Sequence, residues 1–539
     1  MRMASPAPKS PEQTEKSKKY DRQLRLWGDH GQAALENCHI CLVNASGLGT
    51  EILKSLVLPG IGGFTIVDGN KVVDVDVGSN FFVDIDSVGK PRAQVCTEFL
   101  VELNPDVKGD YVDESVEELL ENNPNFFSNF SVVIATAIPE RSLVPLSELL
   151  WTLNIPLVIA KSFGFIGYTR LQVKEHTVVE SHPDTQNPDL RLDRPFPALV
   201  QHLTSVNMHE MDLKDHAHVP YVVPLFLSLQ EWKHSHNNEL PKNYKEKEAF
   251  KQLIRNHLKK NEDGIPEAEE NFEEAIRAVN FAIATTKIPS NVQNILNDDS
   301  CINLTSKSKP FWILAKALKD FIENEGNGCL PLRGSLPDMT AETKRYIALQ
   351  QIYLQEANRC AELVHRRVQQ LLHQVGQPID LIKESETKQF CKYASDIAVI
   401  RGSKIADEYD SKLINTHLIS QGVDDAESLI VYYVLIRGTD RFYGEYNHYP
   451  GEFKDEQDIV KLKACISKLL TEWGCGPLSK DDYVHEFCRY GGAELHSISA
   501  FLGGCVAQEV IKLVTRQYKI LHNTFIYDAI SSNTETFIF

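Results

Sequence analysis

The sequence predicts an α/β chain built on a doubly wound, mostly parallel sheet, interrupted by a large and mostly helical insertion. Three observations predict it. Apolar strand-like runs alternate with helical spacing up to about residue 160. A long stretch with three- and four-residue apolar steps follows, and a final helix then runs into strand-like segments. Alternation of this kind implies parallel strands with crossover helices, and a late helix-to-strand ending suits completion of the same sheet.

The first unit is the most specific. HICLVNASGLGTEILKSLVLPGIGGFTIVD, from His39 to Asp68, runs strand, tight turn, helix and strand, and ends in an acid. This is the order of a nucleotide-binding βαβ unit, in which three glycines make the turn, admit a phosphate and pack helix on strand. Those places hold Asn44, Ser46 and Gly49, with Gly47 between them. The packing glycine is kept while the two phosphate-side positions carry side chains. The scaffold is therefore expected to fold with its nucleotide site degenerate, which suggests a non-catalytic subunit.

The alternation continues with a helix in RAQVCTEFLVEL from Arg92, a strand in SVVIAT from Ser131, a helix in ERSLVPLSELLWTL despite Pro145, and a strand in PLVIA from Pro156. Beyond about residue 175 helices dominate. Tyr346, Leu349, Tyr353, Ala357, Cys360, Val364, Val368 and Leu371 share one face of a long helix, as do Ile459, Leu462, Ile466 and Leu469 of a later one. Charged or Gly-containing stretches at Lys259 and Asn324 mark connections. The end of the chain offers SISAFLGGCVAQEVIKLVT as a helix, then KILHNTFIYD and TETFIF as strands. The expected divisions are a disordered tail over 1–19, a first sheet part over 20–174, a helical insert over 175–480 and a completing part over 481–539.

Composition narrows the function. A chain of 539 residues needs more than one core. Its 74 acids against 56 bases, a formal charge of −18, disfavour nucleic acid and anionic membranes as partners. The first 19 residues are polar, with no apolar core for a signal peptide. VPYVVPLFLSL from Val219 is the best apolar run and is too short to span a bilayer, so a soluble intracellular chain is expected. Eleven cysteines without framework spacing imply reduced thiols. The pair Cys38 and Cys41 lacks the second pair that structural zinc would need, and His209, His216 and His218 read as a solvated polar segment. No metal site is expected.

Taken in order, YDRQLRLWG from Tyr20, the altered glycine loop, IVDGNKV from Ile66, SNFF from Ser79, GKPRA from Gly89 and the closing HSISAFLGGCVAQEVIKLVT resemble the adenylation domains of ubiquitin-like-protein activating enzymes. PKNYKEKEAF from Pro241, PFWILAKALKDF from Pro310 and DDYVHEFCRYGGAE from Asp481 are similar to the regulatory, non-catalytic branch that serves neddylation. The resemblance implies a Rossmann-like adenylation fold with a degenerate nucleotide site. Active members carry GxGGLG, a paired DxD, SNLNRQF and a lysine in GxPKA. Here NASGLG, Asp68 with Asn70, SNFF and Arg92 stand in those places.

The resemblance further implies that Arg22 of the YxRQ segment reaches ATP bound by a catalytic partner subunit, which would also hold Mg²⁺. It implies that Pro337, Asp338, Met339, Tyr346 and Gln350 contact that partner. The family's nucleophile sits in a Pro-x-Cys-Thr context, and the one Cys-Thr pair, Cys96 and Thr97, falls in a helix of the nucleotide-fold half. No catalytic residue is therefore expected in this chain, and no cofactor bound by it alone. Its expected partners are the catalytic subunit, the ubiquitin-like modifier and, through the complex, a conjugating enzyme. The expected location is cytoplasmic and nuclear. The alternatives are a regulatory subunit for another modifier, a scaffold without enzymology, and more distantly a nicotinamide-dependent oxidoreductase, since Asp68 lies about 21 residues beyond Gly47.

Overall fold

The computed structural model describes residues 18–183, 188–425, 427–478 and 480–539. Of the expected tail, only Lys18 and Lys19 are among them, and both are helical. The chain divides into two units, Met1–His176 with Val399–Phe539, and Thr177–Ala398.

The first unit is an eight-stranded sheet. Its parallel part comprises β1 (His39–Val43), β2 (Gly63–Val67), β3 (Lys108–Val112), β4 (Val132–Thr136) and β5 (Leu157–Phe163). β6 (Ile166–Gln172), β7 (Thr524–Asp528) and β8 (Asn533–Phe537) continue it antiparallel. The spatial order is β8-β7-β6-β5-β4-β1-β2-β3. β1 pairs with β2 on one side and β4 on the other, so the winding reverses at β1 and opens a crevice at its carboxyl end. The expected strand in KILHNTFIYD begins only at Thr524.

The inner strands serve two cores because successive side chains point to opposite faces. On one face Ile40, Leu42, Phe64, Ile66, Val132, Ile134, Val158 and Ala160 are buried under α2 (Gly47–Val57), α4 (Arg92–Glu102) and α8 (His496–Thr515). The same core takes Trp27 and Leu35 from α1 (Asp21–Glu36). A short helix, α3 (Asp74–Ser79), lies between α2 and α4 in the chain. On the other face Cys41, Val43, Val133, Ala135, Leu157 and Ile159 pack with α5 (Glu140–Leu153), α6 (Ile430–Tyr446) and α7 (Gln457–Glu472).

That second core corrects the expected boundary at residue 480. Tyr433, Val434, Leu462, Ile466 and Leu469 belong to the sheet's own hydrophobic layer, so the chain returns to the first unit at Val399. Helical periodicity gives the buried face of an amphipathic helix but not which core it faces.

A second correction concerns α8. It is 20 residues long, its most apolar 18-residue stretch has a mean hydropathy of 1.4, and it is long and apolar enough to cross a membrane, which the expectation of no such run missed. In this fold the apolarity is explained by packing: Leu502, Val506 and Val510 enter the core, and a Cβ on Gly503 would lie 3.1 Å from the Glu51 backbone.

The second unit is mostly helical. The long helix expected around 346–371 spans Thr343–Val375, and its Leu349 and Tyr353 join a core with Phe226, Leu229, Phe250, Phe272 and Val279. His216 here is buried, hydrogen-bonded through Nδ1 to Glu269 at 2.5 Å and stacked on Phe272, so it is not part of a solvated segment.

Candidate functional site

The degenerate loop sits where β1 meets α2. Asn44 adopts φ +69°, the left-handed conformation that glycine would supply, which asparagine tolerates better than most residues. The turn is thereby kept: Asn44 N–H donates to Val67 O at 2.9 Å, and the Thr136 hydroxyl donates to Asn44 O at 2.7 Å. What changes is the interior. The Asn44 amide donates to Thr136 O at 2.8 Å, and its Oδ1 accepts from Arg92 at 2.5 Å.

A helix N-terminus leaves backbone N–H groups free for a phosphate. In α2 the N–H groups of Leu48 and Gly49 are met by the protein itself. Ser46, in the place of the close-approach glycine, caps the helix by accepting from Gly49 N–H at 3.2 Å. Glu494, from the loop before α8, accepts from Leu48 N–H at 3.1 Å. Burial raises the Glu494 carboxyl above the ordinary carboxylate range, against the pull of Leu48, Ser46 and Arg92. Gly47 has no room for a side chain, since a Cβ there would sit 2.5 Å from Ser79 O and 3.0 Å from Glu494 Oε2. Gly49 keeps its packing role, with Asn44 O only 2.9 Å from where a Cβ would stand.

Asp68, the acid ending the second strand, is equally committed. It accepts from Ala45 N–H at 3.0 Å, from the backbone and side chain of Asn70 at 2.9 Å each, and from Arg92 Nε at 2.7 Å. Arg92 also donates to Asp76 at 2.9 Å. Burial opposes the Arg92 charge, yet Asp68 and Asp76 hold it above the ordinary arginine value. The bidentate geometry that arginine offers a phosphate is spent on two carboxylates. ATP and Mg²⁺ do not fit this site: its acid is neutralised internally, and part of its helix N-terminus is taken by a carboxylate.

Arg22 is the opposite case. It lies on the first turn of α1 with its side chain exposed, and it makes no hydrogen bond or ion pair among the described residues. Its neighbour Arg25 pairs with Asp21 at 3.0 Å. Of the residues expected at a partner contact, Pro337, Asp338 and Met339 lie in a loop of the second unit, tied down next door by Thr340 donating to Glu274 at 2.9 Å. Tyr346 is half-buried and Gln350 exposed, both on the long helix Thr343–Val375.

For most of the cysteines burial disfavours the thiolate. Nine of the eleven are buried, and burial pushes Cys96 and Cys488 up to about 12 and Cys465 up to about 11. A thiolate nucleophile needs the reverse shift.

Sequence reasoning found Asn44, Ser46, Gly47, Gly49, Asp68 and Asn70, and the structure brings these together around the crevice. It flagged Arg92 only as a replaced lysine. Asp76 and Glu494 it missed. Asp76 sits in a DVDV run beside the motif, a signal that could have been read.

Fold and loop together define a doubly wound α/β protein of the nucleotide-binding type whose site is sealed by its own side chains. The chain belongs to the ThiF family, whose profile matches residues 20–538. Within it the chain falls among the NEDD8-activating enzyme E1 regulatory subunits. It is 51% identical to the one from Danio rerio over 97% of this chain and 99% of that protein. Identity is 50% with that of Gallus gallus over 97% and 98%, and 48% with that of Drosophila melanogaster over 99% of each.

Proposed function

We propose that this chain is the non-catalytic half of a heterodimeric activating enzyme for the neddylation modifier, and that it completes a nucleotide site held by its partner. In this reading the partner binds ATP and Mg²⁺. The C-terminal carboxylate of the modifier attacks the α-phosphorus, an acyl-adenylate forms and pyrophosphate leaves. A thiolate of the partner then displaces AMP to give the thioester, which passes to a conjugating enzyme. Arg22 reaches the partner's nucleotide from outside and stabilises the charge that develops on phosphate oxygens, as an arginine supplied in trans does.

The observation that carries the reading is the contrast within one unit: a nucleotide loop bonded to itself, and an exposed arginine bonded to nothing among the described residues. The test is modifier-dependent exchange between ATP and pyrophosphate, measured on the chain alone, on the catalytic subunit alone and on the mixture. Exchange only in the mixture is expected. Exchange by this chain alone would overturn the reading, as would micromolar ATP binding to it by calorimetry.

A further inference from the structure

We propose that residues 537–539 are a strap filling a preformed strand-binding cleft in the sheet-containing unit, and that the emptied cleft takes an extended peptide with two aromatic residues one position apart. This cleft plays no role in the two-subunit reading and is a site beyond it.

Successive residues of a strand face opposite ways, and the closing segment alternates accordingly: Phe537 is buried, Ile538 is 56% exposed and Phe539 is half-buried. Asn523, the residue before β7, reads this segment beyond the regular pairing. Its N–H donates to Phe537 O at 3.1 Å, its side-chain amide donates to Phe539 O at 2.9 Å, and its Oδ1 accepts from Phe539 N–H at 3.2 Å. One asparagine side chain thus stands in for a peptide unit, and the ladder runs two residues past β8. Ser403 adds a second bond, its hydroxyl donating to Phe539 O at 2.6 Å. The Phe539 ring stacks on Tyr433 with centroids 4.2 Å apart. Main-chain bonds combined with seats for alternate side chains are the means by which proteins take up an added strand.

The receptor is held without the strap. Arg170, fully buried on β6, donates to Glu408 at 2.6 Å and to Ser403 Oγ at 2.7 Å. The Tyr433 hydroxyl donates to the other Glu408 oxygen at 2.9 Å, while Asn523 also donates to Ser403 Oγ at 3.0 Å and accepts from the Thr524 hydroxyl at 2.9 Å. None of these bonds involves Phe539. The strap, by contrast, continues an edge strand, β8, on which Asn533, Thr534 and Thr536 are exposed. Edge segments with few buried contacts open at a fraction of the global free energy, whereas a cleft ordered in advance loses little entropy when it is refilled. The strap therefore opens first and leaves a site behind it.

The experiment uses the full chain. Hydrogen exchange read by mass spectrometry is expected to show residues 537–539 exchanging at least about 100-fold faster than β1, at a rate that low denaturant leaves unchanged. Ser403→Ala is expected to speed that exchange by about 10-fold, the worth of one hydrogen bond, and Phe539→Ala by roughly 100-fold, with β1 unmoved in both. A labelled peptide of residues 533–539 is then expected to bind the Phe539→Ala chain, and the same peptide with both phenylalanines replaced by alanine is not. Exchange of 537–539 at the rate of β1 overturns the strap. Equal binding of the two peptides, or binding of neither, overturns the site. Ser403→Ala carries both readouts if Phe539→Ala does not fold.

Discussion

Two places in the sheet-containing unit, the crevice at the carboxyl end of β1 and the first turn of α1, have met opposite fates. Around the crevice, Asn44, Ser46, Asp68, Arg92 and Glu494 direct polar groups at one another, and the geometry of ligand binding is consumed internally. On α1, Arg22 points at solvent. Side chains that satisfy each other need no ligand, whereas an exposed first-turn arginine with no partner among the described residues contributes little to stability there. The comparison teaches that the purpose of a retained motif residue is best judged from where its hydrogen bonds go.

The comparison can be pressed hardest at Arg92. Arg92→Ala leaves Asp68 and Asp76 facing each other without their cation, and the chain is expected to lose about 3–5 kcal/mol of stability, read from chemical denaturation. Arg22→Ala is expected to leave denaturation and heterodimer formation unchanged. Modifier-dependent ATP–pyrophosphate exchange by the complex should instead fall on the order of 100-fold. An unchanged exchange rate would return Arg22 to the ordinary surface.

Glu494 gives smaller effects with a definite sign. Glu494→Ala strips an acceptor from Leu48 N–H at the start of α2 and is expected to cost about 1 kcal/mol. Because burial raises its carboxyl pKa in the native state, the folded chain holds that proton more tightly than the unfolded chain does. Its contribution is therefore most favourable below the ordinary carboxylate range, declines as pH rises through the raised native pKa, and stays lower above it. Glu494→Gln keeps an acceptor without the charge, so this variant is expected to lose that pH dependence and to be no less stable than the parent at neutral pH. A clear loss of stability at neutral pH would show that the charge on Glu494, and not only its acceptor, holds the loop closed.

How far the sequence could be read depended on distance along the chain. β1, α2 and β2 lie within one short window, so alternation, the lost glycines and the closing acid were all legible there. The φ of Asn44 was implicit in its replacing a turn glycine. Glu494 was not legible, because it is 446 positions from Leu48 and nothing near it signals a role at α2. The helix Gln457–Glu472 was legible as a helix but not as part of a layer of the sheet, because its stripe fits either core, and Ile430–Tyr446 was not singled out at all. His216 looked solvated among charged neighbours, and only the fold brings Glu269 and Phe272 to it.

The sheet's connectivity sets a demand on synthesis. β6 pairs with β7, yet about 350 residues separate Gln172 from Thr524. At roughly 5–20 residues per second, the edge of β6 waits on the order of 20–70 seconds for its partner strand. An open edge of that length, with its backbone groups unpaired, is a template for pairing with the wrong chain. Production of this protein is therefore expected to depend on what shelters β6 during that interval.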